Sequence, residues 1–175
     1  MFGLKVFRTR PSTTAGQALF DGAVRQARTT AFYEAMGVPD TVLGRFELYT
    51  LHVVLLSRRL RGQGPQAQET AQAMFDAYLL NLDIALREMG IEDLSMGKKM
   101  KKLGRAFYGR IKSWDEALGD PVATEALVAR TVYGDAPGAD PSALAVYIQT
   151  AADVLVRQDE AILLGGTAEW PEITI

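Results

Sequence analysis

One long segment of the chain, residues 40–61, reads DTVLGRFELYTLHVVLLSRRLR and contains few polar residues in its middle turns. Its apolar side chains are spread almost all the way around a helix, instead of lying along one face. Asp40 is a suitable N-cap, and the Gly62-Gln63-Gly64-Pro65 stretch that follows is typical of a helix end. A helix that is apolar on nearly every side is expected at the centre of a bundle.

Five further segments have helical patterns, and no segment predicts a β-strand. The six predicted helices span residues 18–36, 40–61, 66–89, 95–118, 122–132 and 140–164. Their connections are short, which favours antiparallel neighbours around one core, and 175 residues suit a single domain. We therefore predict an all-α, single-domain helical bundle of about six helices. Residues 18–165 would form this domain, with a basic, flexible N-terminal arm at 1–17 and a C-terminal tail at 166–175.

The composition excludes several classes of site. Cysteine is absent and histidine occurs once, so disulfide frameworks, cysteine zinc sites, thiol catalysis and clusters of imidazole ligands are ruled out. The longest uncharged stretches, residues 48–57 and 142–152, are about half of the ~20 apolar residues that a membrane span needs. Gly97-Lys98-Lys99 lacks the glycine spacing and the following Ser or Thr of a phosphate-binding loop. We predict no cofactor, no metal site and no membrane span.

The segment 95–118 is the clearest amphipathic helix. One narrow stripe of its surface is apolar and consists of Met96, Met100, Leu103, Phe107, Ile111, Trp114 and Leu118. Five cations cluster on the opposite side, and we call them the basic face: Lys98, Lys101, Lys102, Arg105 and Lys112. Lys99 and Arg110 flank the apolar stripe, and no acidic residue occurs between Met96 and Lys112.

The basic face has two interpretations. It is either a solvated surface or a binding surface for an acidic protein, anionic lipid or RNA. Helices that need only solubility usually mix charges of both signs, whereas these like charges repel one another. The net charge of −2 also conceals a division: residues 1–112 hold 17 basic and 10 acidic residues (+7), and residues 113–175 hold 2 basic and 11 acidic residues (−9).

Few residues suggest catalysis. His52 lies between Leu51 and Val53, where a lone histidine is more often buried and hydrogen-bonded than catalytic. The alternative is an enzyme that uses His52 with a carboxylate, which requires a solvent-reachable imidazole in a pocket. Asp83 and Arg87 are four residues apart and should pair along the surface of their helix.

Five stretches, in their order and spacing, carry a family resemblance. They are Gly44-Arg-Phe-Glu-Leu-Tyr-Thr-Leu-His52, Arg58-Arg59-Leu60, Leu86-Arg-Glu-Met-Gly90, Asp93-Leu-Ser-Met-Gly-Lys-Lys-Met-Lys-Lys102 and Ala106-Phe-Tyr-Gly-Arg110. Over residues 41–118 the chain resembles the ubiquinol-cytochrome c chaperone family. The residues carried over by these motifs are Arg45, Glu47, His52, Arg59, Asp83, Leu86, Arg87, Glu88, Asp93, Gly97, Lys98, Lys102, Phe107, Tyr108, Gly109 and Arg110.

The resemblance implies an all-α, non-enzymatic assembly factor for the ubiquinol-cytochrome c reductase, complex III. Mitochondrial members act with a small partner protein and hold newly made cytochrome b. By analogy we predict a chaperone of bacterial type, in the cytoplasm at the periphery of the inner membrane, with a hydrophobic membrane-protein client such as cytochrome b.

The predicted surface for the client or partner combines the basic face with neighbouring side chains of the same helix. It comprises Lys98, Lys101, Lys102, Arg105, Phe107, Tyr108, Arg110 and Lys112. A small partner protein, an anionic membrane or a ribosome are further predicted contacts, and DNA is not. The alternative function is a peripheral helical module that binds anionic lipid or RNA through the same face.

Overall fold

The computed structural model describes residues 10–88, 93–134 and 138–173, with the backbone alone for 93–96. Within these ranges all regular elements are helical, which confirms the all-α prediction. The helices are α1 (Pro11–Ala27), α2 (Ala31–Glu34), α3 (Val42–Leu60), α4 (Pro65–Glu88), α5 (Asp93–Ala117), α6 (Pro121–Thr131), α7 (Ser142–Arg157) and α8 (Glu160–Leu164).

Helix α3 is the centre of the bundle, as its apolar sequence predicts. It packs against α1, α4, α5 and α7. Leu48, Val53, Val54 and Leu56 are completely buried, so the helix is covered on all sides along its middle turns. Its N-cap is Thr41 and not Asp40: the Thr41 hydroxyl accepts a hydrogen bond from the Gly44 amide at 3.1 Å.

The first helix starts earlier than the sequence predicts. α1 begins at Pro11, a favoured first helical residue, and ends at Ala27, whereas we expected residues 18–36. Residues 11–17 are therefore helical, and they do not belong to a flexible arm. Gly16 allows α1 to pack closely against α4, because a Cβ at this position would lie only 2.6 Å from the Cβ of Ala73 on α4. Residues 1–9 of the predicted arm lie outside the described residues.

The last predicted helix is divided in two. α7 ends at Arg157, and the extended backbone of Gln158 (ψ 143°) separates it from α8. The Asp159 carboxylate caps α8 by accepting a hydrogen bond from the Ala161 amide at 2.9 Å. The predicted single helix over 140–164 was therefore wrong at this point, because a capping residue starts a new helix there.

Candidate functional site

Helix α5 places its apolar stripe in the core. Phe107 and Trp114 are each only 2% exposed, while Met100, Leu103 and Ile111 are partly buried against the same core. The core therefore takes the described part of this stripe, and the side chain of Met96 lies outside the described residues. Phe107 was expected on the client surface, but its ring is almost fully buried and contributes only to the floor of a groove beside α4.

The basic face of α5 is exposed to solvent. Lys98, Lys101, Lys102 and Arg105 all lie on the surface, and no ion pair joins them to another described residue. Lys112 lies 3.9 Å from Glu116 in a solvent-exposed pair, which contributes little to stability. The structure thus presents a group of cations whose charge is available to a partner.

Arg110 was also expected on the client surface, but it faces inward. Its guanidinium forms a bidentate ion pair with Glu47 of α3, in which Nε donates to Oε2 at 3.2 Å. The guanidinium also lies over the ring of Phe46, 5.8 Å from its centroid. Since Glu47 is only 9% exposed, Arg110 compensates a carboxylate inside the bundle. The role of Arg110 in the structure is to join α5 to α3.

A second ion-pair cluster joins the other end of α3 to α5. Arg58 donates from Nε to Oδ1 of Asp115, and Arg61 forms two hydrogen bonds to the same carboxylate, at 2.7 and 3.0 Å. The hydrogen bond from Arg61 is the main cause that holds the pKa of Asp115 below its ordinary value. These two arginines are therefore paired within the fold, in contrast to the basic face.

His52 is completely buried and belongs to a hydrogen-bond chain through the core. Its Nδ1 lies 2.8 Å from the carbonyl oxygen of Leu48, and its Nε2 lies 3.0 Å from the hydroxyl of Tyr147 on α7. Because the carbonyl can only accept, Nδ1 carries the proton and the Tyr147 hydroxyl donates to Nε2. Gln26 of α1 donates to the same hydroxyl at 3.1 Å.

This environment explains the protonation state of His52. Burial lowers the pKa of the imidazole to about 4, against an ordinary value of 6.5. The ring is enclosed by Phe32, Tyr147 and Trp170 at centroid distances of 5.7, 5.8 and 4.8 Å. His52 is therefore a neutral structural residue, and the alternative of a solvent-reachable catalytic imidazole is wrong.

Arg59 secures the end of α7. Its Nε donates to the carbonyl of Leu155 at 2.8 Å, and its Nη2 donates to the carbonyl of Gln158 at 3.0 Å. The last carbonyl groups of a helix have no backbone partner within the helix, so Arg59 supplies hydrogen bonds that α7 itself cannot make. The amide side chain of Gln158 in turn exchanges two hydrogen bonds with the backbone of Glu169, at 2.7 and 2.9 Å. The tail is thereby fixed so that Trp170 packs on His52.

The other motif residues have more local positions. Arg45 pairs with Asp40 and lies over the ring of Tyr33, and the predicted pair of Asp83 and Arg87 is confirmed at 2.8 Å. Gly97 and Gly109 are exposed on α5, and a Cβ at either would meet no atom within 4 Å. Glu88 is exposed, Leu86 is partly buried, and the side chain of Asp93 lies outside the described residues.

Several residues that organise these contacts were not recognised from the sequence. Gln26, Tyr147 and Trp170 each contact segments that are far apart in the chain, and Gln158 joins the end of α7 to the tail. A tyrosine or glutamine in an amphipathic helix has no pattern that identifies a distant partner. The one relevant indication in the sequence was the expected burial of His52, because a buried histidine requires polar partners somewhere in the core.

A groove lies between α4 and α5 and is closed at one end by the turn that joins α3 to α4, which contributes Arg61 to its lining. It has a volume of about 640 Å³ and is lined mainly by apolar side chains, among them Leu60, Ala71, Phe75, Phe107, Tyr108 and Ile111. Tyr108 is 59% exposed although it is a large aromatic residue. This combination of an exposed ring, an apolar groove and nearby cations is suited to binding another molecule.

The described ranges contain no cluster of three or more His, Asp or Glu side chains that could hold a metal ion. None of the helices in the same ranges combines the length and the apolar character that a membrane span requires.

Comparisons with known proteins agree with this architecture. The family model "Ubiquinol-cytochrome C chaperone" matches residues 34–170. The crystal structure of the Cbp3 homolog from Brucella abortus is similar over 93% of this chain and 92% of that chain, with a TM-score of 0.85 and 31% sequence identity. No curated protein matches the chain. Since the family match covers most of the chain, and includes α3 to α8, this protein belongs to the ubiquinol-cytochrome c chaperone family.

Proposed function

We propose that this protein is an assembly chaperone for the ubiquinol-cytochrome c reductase, complex III. The observation that carries the proposal is membership of the family, whose match extends over residues 34–170. The protein would act by binding a partner and not by catalysing a reaction. The burial of His52 supports this proposal, because the single imidazole of the chain does not reach a substrate.

The proposed client is cytochrome b or a similar hydrophobic membrane protein. An unassembled membrane protein exposes apolar surface, which needs an apolar site to shield it from water. The groove between α4 and α5 and the exposed ring of Tyr108 supply apolar surface, and the basic face supplies charge at the same place. A small partner protein could occupy part of the same surface during assembly.

The proposed location is the bacterial cytoplasm, at the periphery of the inner membrane. Cations near such a membrane are attracted to anionic lipid, and the basic face offers several of them. A bacterial setting is supported by the similarity to the Brucella protein.

A second candidate function is a peripheral module that binds anionic lipid or RNA without a client. The exposed cations of the basic face favour it, because lysine and arginine side chains bind phosphate groups without needing an apolar contact. Flotation of the protein with anionic vesicles over a series of salt concentrations separates the two functions. Salt-sensitive flotation without any co-purifying membrane protein would support the module.

Deletion of the gene in its own bacterium tests the proposed chaperone function. We expect cytochrome b and assembled complex III to fall together, while other respiratory complexes keep their levels. Re-expression of the unchanged protein should restore both. Normal complex III in the deletion strain would refute the proposal.

A further inference from the structure

The groove between α4 and α5 has aromatic and aliphatic walls. The ring of Phe75 on α4 lies 4.9 Å from that of Phe107 and 5.5 Å from that of Tyr108, measured between centroids. Phe107 closes the floor because it is buried, while Tyr108 stands at the edge. Ala71 and Ile111 complete an apolar surface that is open on one side.

The two edges of the groove differ in charge. On the α5 side, Arg105, Lys112 and Lys101 are three, four and seven residues from Tyr108, so they share its side of the helix. Lys112 lies 3.9 Å from Glu116 in an exposed pair, and the one carboxylate seven residues beyond Tyr108, Asp115, is paired with Arg58 and Arg61. On the α4 side, the lining residues Gln68 and Gln72 are uncharged.

One acidic residue stands close to the α4 edge, because Asp76 accepts a hydrogen bond from the lining residue Gln72 at 2.8 Å. Glu69 is turned towards α1, where it accepts a hydrogen bond from Ser12 at 3.0 Å. The groove is therefore cationic along its α5 edge and neutral to acidic along its α4 edge, and the lining residue Arg61 at its end is paired with Asp115.

The difference in charge between the two edges indicates which kind of partner fits the groove. A nucleic acid carries negative charge along its whole length, so it would meet the carboxylate of Asp76 on the α4 side. A membrane surface is too flat to enter a concave groove, and the apolar walls would then stay uncovered. A helix with one apolar face and acidic residues along one border would match both the walls and the charged edge.

We propose that the groove binds an amphipathic helix of a partner protein, with its acidic border against Lys101, Arg105 and Lys112. The span from Lys101 to Lys112 corresponds to about three helical turns, so a segment of that length would fill the edge. This inference deepens the proposed chaperone function, because it names the chemistry of the segment that the chaperone holds.

The test uses the purified full-length protein and fluorescence anisotropy. The probe is a labelled helical peptide of about 18 residues with a leucine face bordered on one side by glutamates. Two matched peptides carry glutamine or lysine in place of those glutamates. We expect the glutamate peptide to bind most tightly and the lysine peptide most weakly.

Variants separate the roles of charge and apolar contact. K101E/R105E should weaken binding of the glutamate peptide about tenfold and strengthen that of the lysine peptide, since two exposed charges are reversed. The control R25E/R130E makes the same change of charge at two exposed arginines outside α5, and it should alter both affinities much less. Tyr108→Ala should weaken binding of all three peptides, and the exposure of this ring means that the variant should still fold.

Equal affinity for the three peptides, or equal effects of the two double variants, would overturn the proposal. It would also be overturned if anionic vesicles or RNA bound through Lys101 and Arg105 while the peptides did not. These measurements use purified protein, so their failure is distinct from a failure of the deletion experiment to affect complex III.

Discussion

The carboxylate of Glu47 lies inside the bundle, where Arg110 stabilises its charge through a bidentate ion pair. The pair joins α3 to α5, and its charges are only partly hydrated. A pair of this kind adds less stability than its geometry suggests, because both charges lose water on folding. Its main effect appears when one partner is removed and the other charge is left buried.

We therefore predict that Arg110→Met destabilises the protein by about 2–3 kcal/mol, while the double variant E47L/R110M recovers most of that loss. Urea unfolding of the wild-type protein and of the two variants measures the difference. Equal stability of the single and double variants would show that the buried carboxylate carries no penalty.

His52 makes stability depend on pH in a predictable direction. Its pKa in the folded protein, about 4, lies below the ordinary value of 6.5. Between these two pH values the imidazole is protonated in the unfolded chain but neutral in the folded chain. The contribution of a neutral His52 is therefore complete above pH 6.5 and is lost as the pH falls towards 4. The loss at pH 4 amounts to about 3 kcal/mol.

His52→Gln isolates this effect. We expect the variant to be less stable than the wild-type protein at pH 7, because it disturbs the hydrogen bonds to Leu48 and Tyr147. The difference in unfolding free energy should shrink as the pH falls from 6.5 to 4, since the variant has no imidazole to protonate. A difference that stays constant over this range would contradict the assignment of a depressed pKa.

Helix α3 also organises the carboxyl-terminal part of the chain. Arg59 binds the last carbonyls of α7, Gln158 fixes the backbone at Glu169, and Trp170 packs against His52. Two residues of one helix, His52 and Arg59, thus hold the end of α7 and the tail in place.

We predict that Arg59→Met loosens the segment from Leu155 to Trp170 and leaves α1 and α4 unchanged. Two charge-assisted hydrogen bonds to helix-end carbonyls are lost, each of which contributes about 1.5–3 kcal/mol. Hydrogen exchange followed by mass spectrometry should show faster exchange in that segment alone. Uniformly faster exchange in the whole bundle would mean that Arg59 supports global stability instead.

The sequence predicted the long helices well because their apolar residues are periodic and their ends carry capping or breaking residues. It did not predict the start of α1, because residues 11–17 are small or polar and have no apolar period. Their burial depends on the close approach of Gly16 to α4, which is a tertiary contact. For the same reason the inward position of Arg110 was missed: its place at the border of the apolar stripe fits both an internal ion pair and an external contact.

At the scale of the whole molecule, charge is divided between the two parts of the chain. Residues 1–112 carry a net charge of +7 and residues 113–175 carry −9. Arg58, Arg61 and Arg110 are paired within the fold, whereas the cations of the basic face remain exposed. The folded protein therefore presents unneutralised positive charge on α5, next to an apolar groove.

The central claim is that this surface of α5 acts in complex III assembly. The measurement that tests it is the level of complex III in a deletion strain that expresses a variant with K98Q, K101Q, K102Q and R105Q. Its matched control replaces four exposed arginines of other helices and loops, R25Q, R28Q, R130Q and R157Q. The loss of like charges from α5 relieves repulsion, so the Tm of the first variant should not fall.

We predict that the wild-type protein and the control restore complex III, and that the α5 variant is expressed and folded but does not. Full restoration by the α5 variant would contradict the claim that the basic face is the working surface of this chaperone.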